Sequence, residues 1–271
     1  VGANILAEDP QGSLLHHLFF YFFMTLCGTL FLAPTPSPAN DESWPSTPIP
    51  RGLVTDAGLW AVTWGMENFW HQPAGVRNFP TRSLDIGVRS RLHGELAEKT
   101  YSEREKAWRQ FSDFSIAGLV TGSLATPMLM QERSIPPLTK VSRAFALNNF
   151  ACSLLKNAVH RARPKPALIP EVAQDGDNAK SFPSSHASNA LVAATSMVLM
   201  TSESSAVFHA TIYALGASIA IGRVMADRHF FTDIVVGGAI GAGITHWVFS
   251  RSDSDQEIAF TGNAIVVQTR F

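Results

Sequence analysis

Three apolar stretches in the second half of the chain do most to limit its fold: His186 to Met200, Ala206 to Met225 and Thr232 to Phe249. Each is just long enough to cross a thin bilayer as a helix, and none has the period-two alternation of a half-buried strand. All three are rich in Ala and Gly, small residues that let helices pack closely in lipid or in a water-soluble core. The rest of the chain reads the same way. Asp56 to Trp70 is amphipathic and aromatic-rich, and Ser83 opens a helix with Asp85 in its first turn. Ser102 to Gln110 is highly charged, and Phe114 to Met130 is apolar, with Pro136 and Pro137 marking the turn after it. A helix from about Leu138 carries an apolar face with Arg143, Asn148 and Asn149 among it. The expectation is an all-α bundle of about six core helices.

The N-terminus adds a separate element. Leu14 to Leu32 is an apolar run followed by a Pro-rich polar stretch ending near Pro50. This is the pattern of a signal peptide cleaved around Ala33 to Ala39, or of an uncleaved anchor with its linker. The chain thus divides into 1–50, signal or anchor plus linker; 51–255, the helical domain; and 256–271, a weakly alternating C-terminal extension. Charged residues make up 16% against about 25% in an average soluble domain, and the mean hydropathy of +0.08 leaves the chain between a soluble helical protein and an integral membrane one. Integral membrane and soluble periplasmic or secreted forms both stay open. A net charge of -1 gives no polyanion-binding signature, so no nucleic-acid partner is expected. Cys27 and Cys152 have no metal or redox spacing.

Three short segments carry the chemistry. In Lys156-Asn-Ala-Val-His-Arg-Ala-Arg163-Pro164, the seven-residue spacing puts Lys156 and Arg163 on one helical face, with Pro164 ending the helix. The two cations suit a phosphate clamp, a point charge beside a bidentate fork. In Pro183-Ser184-Ser185-His186, a helix N-terminus offers free backbone N–H groups to phosphate oxygens, Ser184 adds a hydroxyl, and His186 is placed to protonate a leaving oxygen. Taken alone, those serines are an N-cap. In Gly222-Arg223-Val-Met-Ala-Asp227-Arg228-His229-Phe-Phe-Thr-Asp233, a helix beginning at His229 would stack His229 and Asp233. Asp233 would then hold the Nδ1 proton and leave Nε2 as a nucleophile.

The order of these segments resembles the type 2 phosphatidic acid phosphatase (PAP2) and vanadium haloperoxidase superfamily, whose signature is K-x6-RP, PSGH and SR-x5-H-x3-D. Ser185 replaces the family's Gly and Gly222 its Ser. The resemblance implies a metal-independent phosphatase with His229 as nucleophile, Asp233 as its orienter and His186 as general acid. Lys156, Arg163, Ser184, Ser185 and Arg223 would bind the phosphate, and no cofactor would be needed. It further implies a phosphate ester as substrate: a lipid phosphate, another phosphomonoester or a pyrophosphate. Two other readings stand beside it. One is a haloperoxidase using vanadate as cofactor; the other is a non-catalytic membrane or scaffold protein retaining the motifs. His160, Arg161, Asp227 and Arg228 lie beside the motifs and outside the implied catalytic set; substrate contact by Arg228 or Asp227 and a solvated or loop-bracing role both stay open.

Overall fold

The computed structural model describes residues 49–69, 81–94, 98–129, 135–164, 179–201, 204–251, 256–261 and 264–269. The signal or anchor run, Cys27 and the linker up to residue 48 lie outside them. Helices α1 (Arg51–Phe69), α2 (Arg82–His93), α3 (Glu98–Leu129), α4 (Ile135–Val159), α5 (Ser185–Met200), α6 (Ala206–Met225) and α7 (Phe231–Ser250) build an all-α bundle. Three antiparallel strands accompany it: β1 (Ile49–Pro50), β2 (Gln256–Thr261) and β3 (Ala264–Thr269), in the order β1-β2-β3. Ile258 pairs with Ile49 on one side and Val267 on the other. The C-terminal alternation thus becomes a small sheet.

Two boundaries differ from expectation. The charged Ser102–Gln110 segment and the apolar segment from Phe114 to Leu129 are one helix, α3, because no Gly or Pro lies between them to break it. α4 starts at Ile135 and so takes in Pro136 and Pro137. The first turn tolerates proline, since its N–H groups have no helical acceptor.

α5 is the central element, packed against α3, α4, α6 and α7. Its Ala190, Val192, Ala193 and Ala194 are fully buried in a core shared with Leu119, Val141, Phe145, Ile219 and Val248. α7 approaches α5 through Gly237 and Gly241, one helical turn apart. A Cβ on Gly237 would stand 2.6 Å from the Ser184 carbonyl oxygen, and one on Gly241 would stand 2.1 Å from that of Ser188. Only glycine permits this approach. It draws the start of α5 against the start of α7. Between α4 and α5, Asn148 and Asn149 exchange side-chain hydrogen bonds with Asn189, which satisfies the polar groups within the bundle. The end of α4, the start of α5, the end of α6 and the start of α7 consequently meet at one end of the bundle.

Candidate active site

The first segment closes α4 earlier than Pro164 would. The helix stops at Val159, and His160 takes a left-handed backbone (φ 50°) while its N–H still bonds the Lys156 carbonyl. Lys156 therefore projects from the last turn, while Arg163 reaches the site from the chain beyond it. Arg163 is buried, and its Nη1 donates to the Arg228 carbonyl at 3.0 Å.

At the second segment, Ser184 is the N-cap of α5; its Oγ accepts from the Ala187 N–H at 3.4 Å. Ser185 opens the helix. Among the described non-glycine residues only His160 and Asp227 have positive φ, so Ser185 keeps an ordinary backbone despite its Cβ. The first N–H groups of a helix lack internal acceptors, and here they lie beside the cations of the site.

The third segment departs from the expected helix at His229. α7 begins at Phe231, so His229 and Asp233 are not stacked on a helical face. Phe230 is extended, and Asp233 Oδ2 turns back to accept its N–H at 2.8 Å, as helix-start carboxylates do. His229 Nδ1 lies 3.8 Å from Asp233 Oδ2 but 2.7 Å from the carbonyl oxygen of Ser181. A carbonyl only accepts, so Nδ1 carries the proton and Nε2 keeps its lone pair. The Ser181 hydroxyl donates to Asp233 Oδ2 at 2.6 Å, which places Asp233 behind Ser181.

Electrostatics keep the ring neutral. Burial pushes the His229 pKa well below its ordinary value, and Arg163, Arg223, Lys156 and His186 push it the same way. These four groups are the ones the sequence placed around it.

Several site residues were not read from the sequence. Asp113, from α3, accepts from Arg223 Nη1 at 2.6 Å and from His186 Nε2 at 3.0 Å. Burial alone would raise its pKa, but the His186 hydrogen bond and the nearby charges bring it down to about 2. Ser112 meets the same Arg223 Nη1 at 3.0 Å. A Cβ on Gly222 would stand 3.2 Å from the Ser112 Cβ, so α3 places its serine where a side chain on residue 222 would be crowded. Asp113 belongs to a helix with no motif of its own, which is why spacing did not reveal it.

α2 braces the site from outside. Arg89 Nε donates to Asp227 Oδ1 at 2.7 Å, Arg89 Nη2 bonds Asp227 Oδ2, and His93 lies against the same carboxylate. Asp227 has φ 50°, a conformation that favours glycine, and its two partners hold it there. Of the settings left open for Asp227, the structure shows a buried carboxylate held by Arg89 and His93 rather than a solvated one.

Residues 137–255 match the PAP2 superfamily. This stretch, somewhat under half of the chain, is what resembles the PAP2 superfamily. Comparison with curated proteins returned no match. Among solved structures, the chain is similar to LpxE of Aquifex aeolicus, with TM-score 0.47 and 16% identity over 62% of this chain and 96% of that one. It is similar to a transmembrane PAP2-type phosphatidylglycerolphosphate phosphatase of Bacillus subtilis, with TM-score 0.48 and 18% identity over 72% and 94%. A bacterial vanadium-dependent iodoperoxidase is also similar, with TM-score 0.48 and 13% identity over 68% and 53%.

Proposed function

We propose that this PAP2-like domain is a lipid-phosphate phosphatase that works through a phosphohistidine on His229 without a metal. The observation that carries this reading is the Nδ1–H···O=C bond to Ser181, which leaves a neutral Nε2 lone pair among Lys156, Arg163 and Arg223. Nε2 attacks phosphorus while the bond to the leaving oxygen breaks, and His186 gives that oxygen its proton. Lys156, Arg163, Arg223, Ser184 and the α5 N–H groups, Ser185 included, hold the three equatorial oxygens as charge spreads onto them. Water then attacks phosphorus, its proton passes to His186, and the P–Nε2 bond breaks to release phosphate.

The outer surface supports a membrane setting. α6 and α7 are long and apolar enough to cross a bilayer, and 39% and 33% of their apolar windows are buried inside the protein. Val207 (75% exposed), Phe114 (69%) and Leu129 (78%) are large apolar side chains facing outward, with Leu215, Ile221, Val235 and Trp247 among their exposed companions. Exposing many large apolar side chains is unfavourable in water. With the site at one end of these helices, a phosphate headgroup meets the cations while its chains stay in lipid.

The test is phosphate release from a panel of lipid and soluble phosphates, with EDTA present. Wild type is expected to favour lipid phosphates and His229→Ala to be inactive. Activity lost in EDTA contradicts the metal-free mechanism, and an unchanged rate in His229→Ala contradicts the nucleophile. Halide oxidation with added vanadate would instead support the haloperoxidase reading.

A further inference from the structure

We propose that Arg161 and Asp85 are positioning residues that set the tautomer and working pH of His229, acting through Ser181 and Asp233. This rests on the reading of His229 as nucleophile.

Ser181 is the residue that holds the ring, and Arg161 grips Ser181 in two ways. The Arg161 carbonyl accepts the Ser181 N–H at 2.9 Å. The Arg161 guanidinium donates from Nη1 to Asp233 Oδ1 at 2.5 Å, and Asp233 in turn accepts the Ser181 hydroxyl. Nη1 also reaches Thr232 Oγ1 at 2.7 Å, and the guanidinium lies 4.4 Å from the centre of the Phe230 ring. Every residue from Phe230 to Asp233 except Phe231 is thus contacted by this one side chain.

Asp85 anchors the other arm. Its Oδ2 accepts from Arg161 Nη2 at 2.5 Å, from Thr232 Oγ1 at 2.8 Å and from Thr81 Oγ1 at 2.7 Å; its Oδ1 accepts the Thr232 N–H at 2.9 Å. Asp85 and Arg161 are both buried, at 1% and 3% exposure. A guanidinium that bridges two carboxylates, one Nη to each, fixes orientation as well as charge. One cation between two anions also leaves a local excess of negative charge beside a ring otherwise surrounded by cations.

The groups facing His229 are Lys156 on α4, Arg163 beyond it, His186 on α5, Arg223 on α6 and Asp233 on α7, with Asp113 on α3 opposite Arg223. Removing the Arg161 charge uncovers two carboxylates and favours the protonated ring. The acid limb of kcat/KM then moves up, by about one pH unit or more. Asp85→Asn removes a carboxylate, so its limb moves down or stays. Arg161→Lys keeps the charge but loses the fork, so its limb stays while kcat falls roughly tenfold.

The experiment measures pH profiles of kcat and kcat/KM for Arg161→Met, Arg161→Lys and Asp85→Asn, together with ¹⁵N NMR titration of the His229 ring. An upward limb in Arg161→Met, opposed or absent in Asp85→Asn, supports the proposal. Lower activity in every variant with an unmoved limb and an unchanged ring tautomer overturns it. Should Arg161→Met not fold, Arg161→Gln, which removes the charge but keeps hydrogen-bonding groups at the end of the side chain, is judged by the same criterion. An active His229→Ala enzyme would remove the nucleophile reading, while the ring titration still judges the coupling independently.

Discussion

At the residue scale, the sign of the pH response follows from what surrounds His229. On the proposed reading of His229 as nucleophile the ring must be neutral, so activity is expected to be lost as pH falls through its pKa. Burial and the cations Arg163, Arg223 and Lys156 hold that pKa well below 6.5. The acid limb of kcat/KM is therefore expected below pH 6.5, and a limb at or above that value in a pH–rate profile contradicts this setting. The same depression destabilises the fold in acid: the unfolded histidine takes a proton near its ordinary value while the folded one does not. Asp113→Asn should lower kcat/KM by roughly 10- to 100-fold, the scale of weakened charge-assisted hydrogen bonds to Arg223 and His186. Steady-state kinetics on the purified variant checks this. His229, His186 and the cations were legible because fixed spacing ties them to motifs. Asp113, Ser181 and Arg161 were not, since each owes its place to packing between segments distant in sequence.

At the element scale, the approach of α7 to α5 fixes the distance between the second and third segments. Gly241→Ala places a methyl against the Ser188 carbonyl, so the helices must separate. The expected cost is about 1–3 kcal/mol, seen as a lower Tm, with a fall in kcat as the two segments move apart. Unchanged melting would mean that the contact is looser than the backbone indicates. Ser184→Ala should cost about 1 kcal/mol as a lost N-cap, besides its effect on phosphate binding. Apolar periodicity located α5, α6 and α7 almost to the residue. Motif spacing was less exact at the end of α4, where the left-handed His160 stops the helix before Pro164 does, and at His229, which precedes α7 and so does not stack on Asp233. Both departures lie inside the site, where local conformation serves the position of a side chain.

At the scale of the whole molecule, the bundle puts its polar chemistry at one end and uncharged helix faces around α6 and α7. Carbonate extraction is expected to leave the intact chain in the membrane fraction; release into the supernatant would argue for a soluble form. The all-α class was legible because the apolar runs are long and unalternating. The small sheet was less so, because its strands are short and only weakly patterned. What unites these parts is a single chemical claim, that His229 becomes covalently phosphorylated. Rapid acid-free quenching during turnover in EDTA, followed by peptide mass spectrometry, tests it most directly. The account predicts an acid-labile phosphate on the peptide containing His229, absent from His229→Ala. Turnover with no phosphate on that peptide, or with phosphate held on a different residue, would contradict it.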